Sequence, residues 1–352
     1  MQHPPSEISY RLYNPRYSIL AKNIWSKTST PGKILRRCYW LLRYNRLFNR
    51  RTLLHLSNYW DYAPIRMRRK FVVDTENVGT FVTNWNFKDL LSPMVRKQIE
   101  DGIRSKYCRK IMPLTQAALR TMEATLDLEG VREKIEVLYP AIKVDENRKN
   151  SHGNIRILFV GNNFFIKGGR ELVSAFKVLK RKYDVELLIV SEEAHSRNLP
   201  TQAGVTVYPS LPRKQLLTEF YPNVDIFCVP TYADSFGFVF LEAKAASLPI
   251  VTTNHFHMSE IVEEWKTGLM IESPISCWKK DYTYDFEWQN KLTDPFPKSV
   301  AELVEKLSIL IEDRPLRESM GDCGREEVET GKFSVGVRNQ KLSEIYQEAL
   351  YS

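Results

Sequence analysis

Six apolar runs between residues 155 and 272 (IRILFV, VELLIV, VTVY, DIFCVP, PIVTT and GLMIE) are separated, in most cases, by segments of helical periodicity. This alternation constrains the fold more than any other feature of the chain. A strand with one wet face alternates apolar and polar residues. These runs are nearly continuous, so both faces of their sheet must be covered. Apolar strands alternating with helices build a parallel, doubly wound sheet, which binds ligands at the carboxyl ends of its strands. Residues 149–333 are therefore expected to form a Rossmann-like, ligand-binding C-terminal domain. The stretch KVDENRKNSHGN, residues 143–154, is polar, charged and aperiodic, and reads as a linker.

With 352 residues, 43% of them hydrophobic, the chain is long enough for a second core. Residues 1–148 are assigned to it, with the terminal helix 334–352 as a candidate to pack back on it. TLLHLS, KFVVD, RKIMPLT and IEVLYP read as short strands of an α/β layer, yet the first 150 residues hold only four glycines, so this domain is reduced or atypical. No run approaches the roughly 20 apolar residues of a membrane span, and the N-terminus lacks the apolar core of a signal peptide. The five cysteines are unpaired in number and widely spaced, which fits a reducing compartment. A cytoplasmic protein is expected.

The net charge of +9 is unevenly distributed, since residues 1–70 carry fifteen Lys or Arg against two acids. Within that segment Trp25, Tyr39, Trp40, Tyr44 and Phe48 interleave with Arg36, Arg37, Arg43, Arg46, Arg50 and Arg51. An anionic membrane surface suits this composition, with Arg36, Arg37, Trp40 and Arg43 as candidate contacts and the inner face of a membrane as the site of peripheral attachment. A core-facing helix with a solvated basic side is the alternative. No nucleic-acid motif accompanies the charge, and no nucleic-acid partner is expected.

Two loops carry candidate chemistry. VGNNFFIKGGREL follows the first strand of the regular half and places Gly161, Asn162, Asn163, Lys167, Gly168 and Gly169 before a helix. Helix N-termini offer unpaired N–H groups and partial positive charge, and Lys167 adds a full charge for an anion. The loop is neither GxGxxG nor a P-loop. The second, DSFGFVFLEA, has carboxylates at Asp234 and Glu242 around an apolar run. Asp234 or Ser235 is suited to cap a helix beginning near Phe236, and Gly237 in its first turn allows an anion close to the N–H groups of residues 236–239. Glu242 and Lys244 point about 200° apart on that helix, so one is expected in solvent and the other, Glu242, in a cleft between domains.

A strand, a glycine-led loop with FxxKGG, a helix, and later an acid, SFG and a glutamate eight positions after the acid together resemble the retaining glycosyltransferases of the GT-B fold, group 1 or family 4. LPIVTTNHFHMSEIVEEWKTGLMIES, residues 248–273, resembles the family's segment after the signature helix. The resemblance implies two Rossmann-like domains facing a cleft, and transfer of a sugar from a nucleotide-diphosphate donor, UDP- or GDP-linked, to a glycan or lipid-linked acceptor. Cell-surface polysaccharide or glycolipid synthesis is the implied setting. Catalytic roles fall on Lys167, Asp234 and Glu242: Glu242 matches the ribose-binding glutamate, Lys167 the lysine steadying the diphosphate, and Asp234 the first signature glutamate, near the donor sugar. Asp234 is one methylene shorter than that glutamate. Gly161 matches the glycine that lets the nucleotide approach, with Asn162 and Asn163 beside it on the donor side; the amides of Ser235, Phe236, Gly237 and Phe238 match the family's diphosphate anchor, and Pro209, Ser210 and Leu211 of YPSLP match the base-holding stretch. No cofactor or metal is required, because Lys167 and the helix amides can stabilise the leaving diphosphate. Asp74 and Glu76 spell DTE, His55 lies on a strand, and His255 and His257 flank Phe256 in a loop of the cleft. A catalytically degenerate partner subunit and a sugar-nucleotide epimerase share the same donor site.

Overall fold

A computed structural model describes residues 53–57, 68–82, 85–144, 153–197, 199, 202–292 and 295–351. They divide between two compact units, Met1–Leu114 with Thr121–Leu138 and Asn339–Ser352, and Thr115–Arg120 with Tyr139–Arg338. The basic segment holding Arg36, Arg37, Trp40 and Arg43 lies outside the described residues, as does most of the 143–154 stretch. Among the described residues no helix is long and apolar enough to cross a membrane.

The first unit holds three parallel strands in the order β1 (Leu54–Ser57), β2 (Phe71–Thr75), β3 (Cys108–Pro113). The central strand is closed off from water, with Phe71, Val72 and Val73 at most 1% exposed. Helix α1, Pro93–Arg104, starts on a proline, whose missing N–H has no helical partner to lose, and buries Ile99 and Ile103 one turn apart. IEVLYP is not a full strand. Glu136 and Leu138 donate backbone N–H groups to Ile111 and Pro113 of β3, giving a single bridge at Ile135 before Pro140 removes a further donor. The terminal helix, Val335–Tyr351, sets Leu342, Ile345, Tyr346 and Ala349 on one stripe against Val72, Met112 and Leu138. His55 bridges strand and helix: its Nε2 lies 2.9 Å from Asp74 Oδ2, and its Nδ1 meets the Tyr346 hydroxyl.

In the second unit all six apolar runs are strands of one parallel sheet, ordered β6-β5-β4-β7-β8-β9. They are β4 (Ile155–Val160), β5 (Val185–Val190), β6 (Val205–Tyr208), β7 (Ile226–Val229), β8 (Ile250–Asn254) and β9 (Gly268–Glu272). The chain runs outward from β4 to β5 and β6, then returns to lay β7 on the other side of β4, pairing Ile157 with Ile226. That reversal makes a switch point between the carboxyl ends of β4 and β7, the place where doubly wound sheets bind ligands. Helix α2, Gly169–Leu179, follows the β4 loop and buries Leu172, Ala175, Phe176 and Leu179. Helix α3, Phe238–Ala245, follows the β7 loop.

Candidate donor-binding site at the switch point

The β4 loop turns into α2 through Gly168 at φ 72°, where a Cβ would stand 2.2 Å from the Pro230 carbonyl oxygen. Only glycine permits this approach. The two loops are thereby held together, and the Tyr232 N–H donates to the Ile166 carbonyl at 2.9 Å. Lys167 then reaches across the switch point: its Nζ lies 2.5 Å from Asp234 Oδ2 and donates to the Ala233 carbonyl at 2.8 Å. Burial raises the Asp234 pKa, but the charge and hydrogen bond of Lys167 outweigh it, so the carboxyl is held below the usual range. Gly161 backs the lysine, since a Cβ there would press on Lys167 Cγ at 3.1 Å.

Asp234 does not cap the helix, and neither does Ser235. The N-cap of α3 is Gly237, at φ 81° and ψ 63°, with no side chain bonded to the first turn. The helix starts at Phe238, two residues later than expected, because the left-handed Gly237 ends the extended loop and the Asp234 carboxylate is already committed to Lys167. No side chain caps the first turn of α3, where the Phe240 N–H turns back to the Gly237 carbonyl at 3.0 Å.

Glu242 lies one turn into α3 and is 4% exposed. Its Oε1 accepts from Arg213 Nε at 2.5 Å and its Oε2 from the Tyr221 hydroxyl at 3.0 Å. Burial and the carboxylate together push the Tyr221 phenol well up, so it stays a donor. Arg213 follows Pro212 at the end of the loop of Pro209, Ser210 and Leu211, which links the predicted base stretch to Glu242. Ser210 is exposed, and its N–H donates to Glu192 at 3.1 Å. The expectation that one of Glu242 and Lys244 faces solvent is wrong. Lys244 is fully buried and its Nζ pairs with Glu327 Oε2 at 2.5 Å, because helix α4, Arg314–Glu329, covers that side.

Asn162 and Asn163 are exposed in the β4 loop, where their carbonyls accept from Ser191 Oγ at 3.3 Å and from the Lys167 N–H at 3.0 Å. Phe236 is buried and Phe238 is 50% exposed. Gly161, Lys167, Asp234 and Gly237 form one group, while Glu242 and the 209–211 loop form a second. Both belong to the second unit. His55 and Asp74 engage one another in the first unit, so DTE does not act as an isolated carboxylate pair.

Sequence reading missed Arg213 and Tyr221. The signal available was an arginine immediately after the base loop, but nothing in the sequence tied Tyr221 to a helix 21 residues away. It also left His257 unassigned. His257 is fully buried and donates from Nε2 to the Phe236 carbonyl at 2.8 Å, with burial depressing its pKa. His255, 2% exposed, has its pKa pushed by burial to about 3.

Residues 142–278 match the model of the family described as glycosyl transferases group 1. The capsular polysaccharide biosynthesis glycosyltransferase CapM of Staphylococcus aureus is 29% identical over 226 residues, which is 61% of this chain and 53% of CapM. The chain thus spans about half the length of that relative. A glycosyltransferase from Rickettsia africae superposes with TM-score 0.62 at 17% identity, covering 95% of this chain and 89% of its own. Anabaena HepE, solved in complex with UDP and glucose, superposes with TM-score 0.58 at 16% identity, covering 81% and 73%. At these identities the superpositions establish the fold, GT-B.

Proposed function

We propose, for a chain whose residues 142–278 match the group 1 glycosyltransferases, that it transfers a sugar from a nucleotide-diphosphate donor to a glycan or lipid-linked acceptor with retention at the anomeric carbon. Cell-surface polysaccharide synthesis is the proposed setting, and the similarity to CapM, a capsular polysaccharide biosynthesis glycosyltransferase, supports it. The observation that carries this reading is the pairing of Lys167 with Asp234 beside the N-terminus of the helix that carries Glu242, which no side chain caps.

Each residue has a part. The Lys167 ammonium and the Ser235 to Phe238 amides receive the diphosphate and stabilise the charge that grows on it as the glycosidic bond breaks. Glu242 accepts the ribose hydroxyls, taking the place now held by the Arg213 guanidinium, while Tyr221 keeps its other oxygen fixed. Asp234 contacts the donor sugar. The acceptor proton passes to the departing phosphate. UDP is the first donor nucleotide to test, because HepE holds it.

Thermal shift with UDP, GDP and ADP and their sugars, on the wild type and on Glu242→Ala and Lys167→Ala, tests the site. At least one nucleotide should stabilise the wild type and lose most of that effect in both variants. Unchanged stabilisation in both would refute the assignment. Binding without transfer to any acceptor would identify a degenerate partner subunit instead.

A further inference from the structure

We infer that His257 is a positioning residue that locks the Phe236–Gly237 peptide so that the Gly237 N–H faces the donor diphosphate. This rests on the donor-site reading above and adds to it a residue that makes no contact with substrate.

The geometry is specific. The His257 Nε2 lies 2.8 Å from the Phe236 carbonyl oxygen, and since a carbonyl only accepts, Nε2 carries the proton. The ring is fully buried and parallel to that of Phe236, with an interplanar angle of 5° and centroids 6.0 Å apart. In a trans peptide the C=O and the following N–H point in opposite directions. Anchoring the Phe236 oxygen on His257 therefore aims the Gly237 N–H to the other side, and among the described residues that N–H has no partner.

A lock is needed here because of the glycine. Rotating a peptide plane changes ψ of the residue before it and φ of the residue after it. With glycine following, either sign of φ is accessible at little steric cost. Gly237 holds φ 81°, so nothing in its own stereochemistry prevents the plane from turning over and presenting a carbonyl to the diphosphate. The buried bond from His257 does prevent it. The preceding loop is built to deliver that ring: Phe256 is in the left-handed region at φ 53°, unusual for an aromatic residue, and its ring stacks on Trp278 at 5.1 Å.

Calorimetric titration with UDP, GDP and ADP, each beside its monophosphate, tests the inference on the full chain. For the nucleotide that binds the wild type best, His257→Ala should weaken the diphosphate about tenfold, one hydrogen bond to a charged group, and the monophosphate less than threefold. His257→Gln, whose amide can donate to the same carbonyl, should recover most of the loss. A change equal for both nucleotides, or none, would overturn the positioning role. Because Glu242→Ala should weaken both nucleotides, its effect separates the two ideas: if it acts and His257→Ala does not, only the lock is wrong. If neither Glu242→Ala nor Lys167→Ala acts, the donor site is wrong and the lock falls with it. Should the alanine variant fail to fold, His257→Gln against His257→Met makes the same comparison.

Discussion

Asp234→Asn should lower the stability of the protein and raise its affinity for a nucleoside diphosphate, two effects of opposite benefit from one lost charge. The Lys167–Asp234 pair is 2.5 Å long, with side chains 16% and 12% exposed. Exposed pairs contribute about 0–1 kcal/mol and breaking a buried pair costs about 3–5 kcal/mol, so this intermediate case should lose about 1–3 kcal/mol at neutral pH. A diphosphate at Lys167 must share the ammonium with the Asp234 carboxylate. At about 5 Å and an effective dielectric near 20, the repulsion between one phosphate charge and that carboxylate is about 3 kcal/mol before solvent and salt reduce it. Removing it should tighten UDP binding by about tenfold.

Urea unfolding followed by circular dichroism measures the first effect, and calorimetry with UDP or the preferred nucleotide measures the second. The stability difference also has a defined pH range. The folded carboxyl titrates below its unfolded value of about 3.8, so its contribution is present above that pH and disappears as the pH falls through the folded pKa. Wild type and Asp234→Asn should converge in stability near the acid end of that range. Weaker UDP binding by Asp234→Asn would refute the argument, since it would make the carboxylate an organiser of Lys167 and not its competitor.

Glu327→Ala leaves the Lys244 ammonium fully buried without its counterion and should cost about 3–5 kcal/mol in urea unfolding; a loss under about 1 kcal/mol would mean that the ammonium finds water. His255 has a folded pKa near 3 against about 6.5 when unfolded, so the unfolded chain binds the extra proton and stability falls as pH drops below about 6.5, by up to about 1.4 kcal/mol per unit. His255→Gln should flatten the stability profile between pH 6 and pH 4 by that slope, and an unchanged profile would place the acid sensitivity elsewhere.

The sheet of the second unit was legible because its strands are buried on both faces, which writes them into the sequence as unbroken apolar runs. IEVLYP has the same apolar character, but it makes only two hydrogen bonds to β3 before Pro140, and composition does not record how many bonds a neighbour offers. The Lys167–Asp234 pair spans 67 residues and exists because the chain reverses direction between β6 and β7. Periodicity reveals strands; it does not reveal their order, so the pair follows from topology alone.

The signature helix shows where local reasoning stops. Helical geometry correctly separated Glu242 from Lys244 by about 200°, and the inference that one must therefore be solvated assumed a helix with a wet side. α3 has none at these positions: Lys244 meets Glu327 from a helix 83 residues later, and Glu242 meets Tyr221 and Arg213 from the segment before it. Both charges are paired, but the pairs differ. The partner of Lys244 comes from a packed helix and seals a core. Among the partners of Glu242, Arg213 is 42% exposed, whereas Tyr221 is fully buried. A buried carboxylate with one fixed partner and one partly exposed partner suits the proposed ribose contact better than a structural pair sealed on both sides.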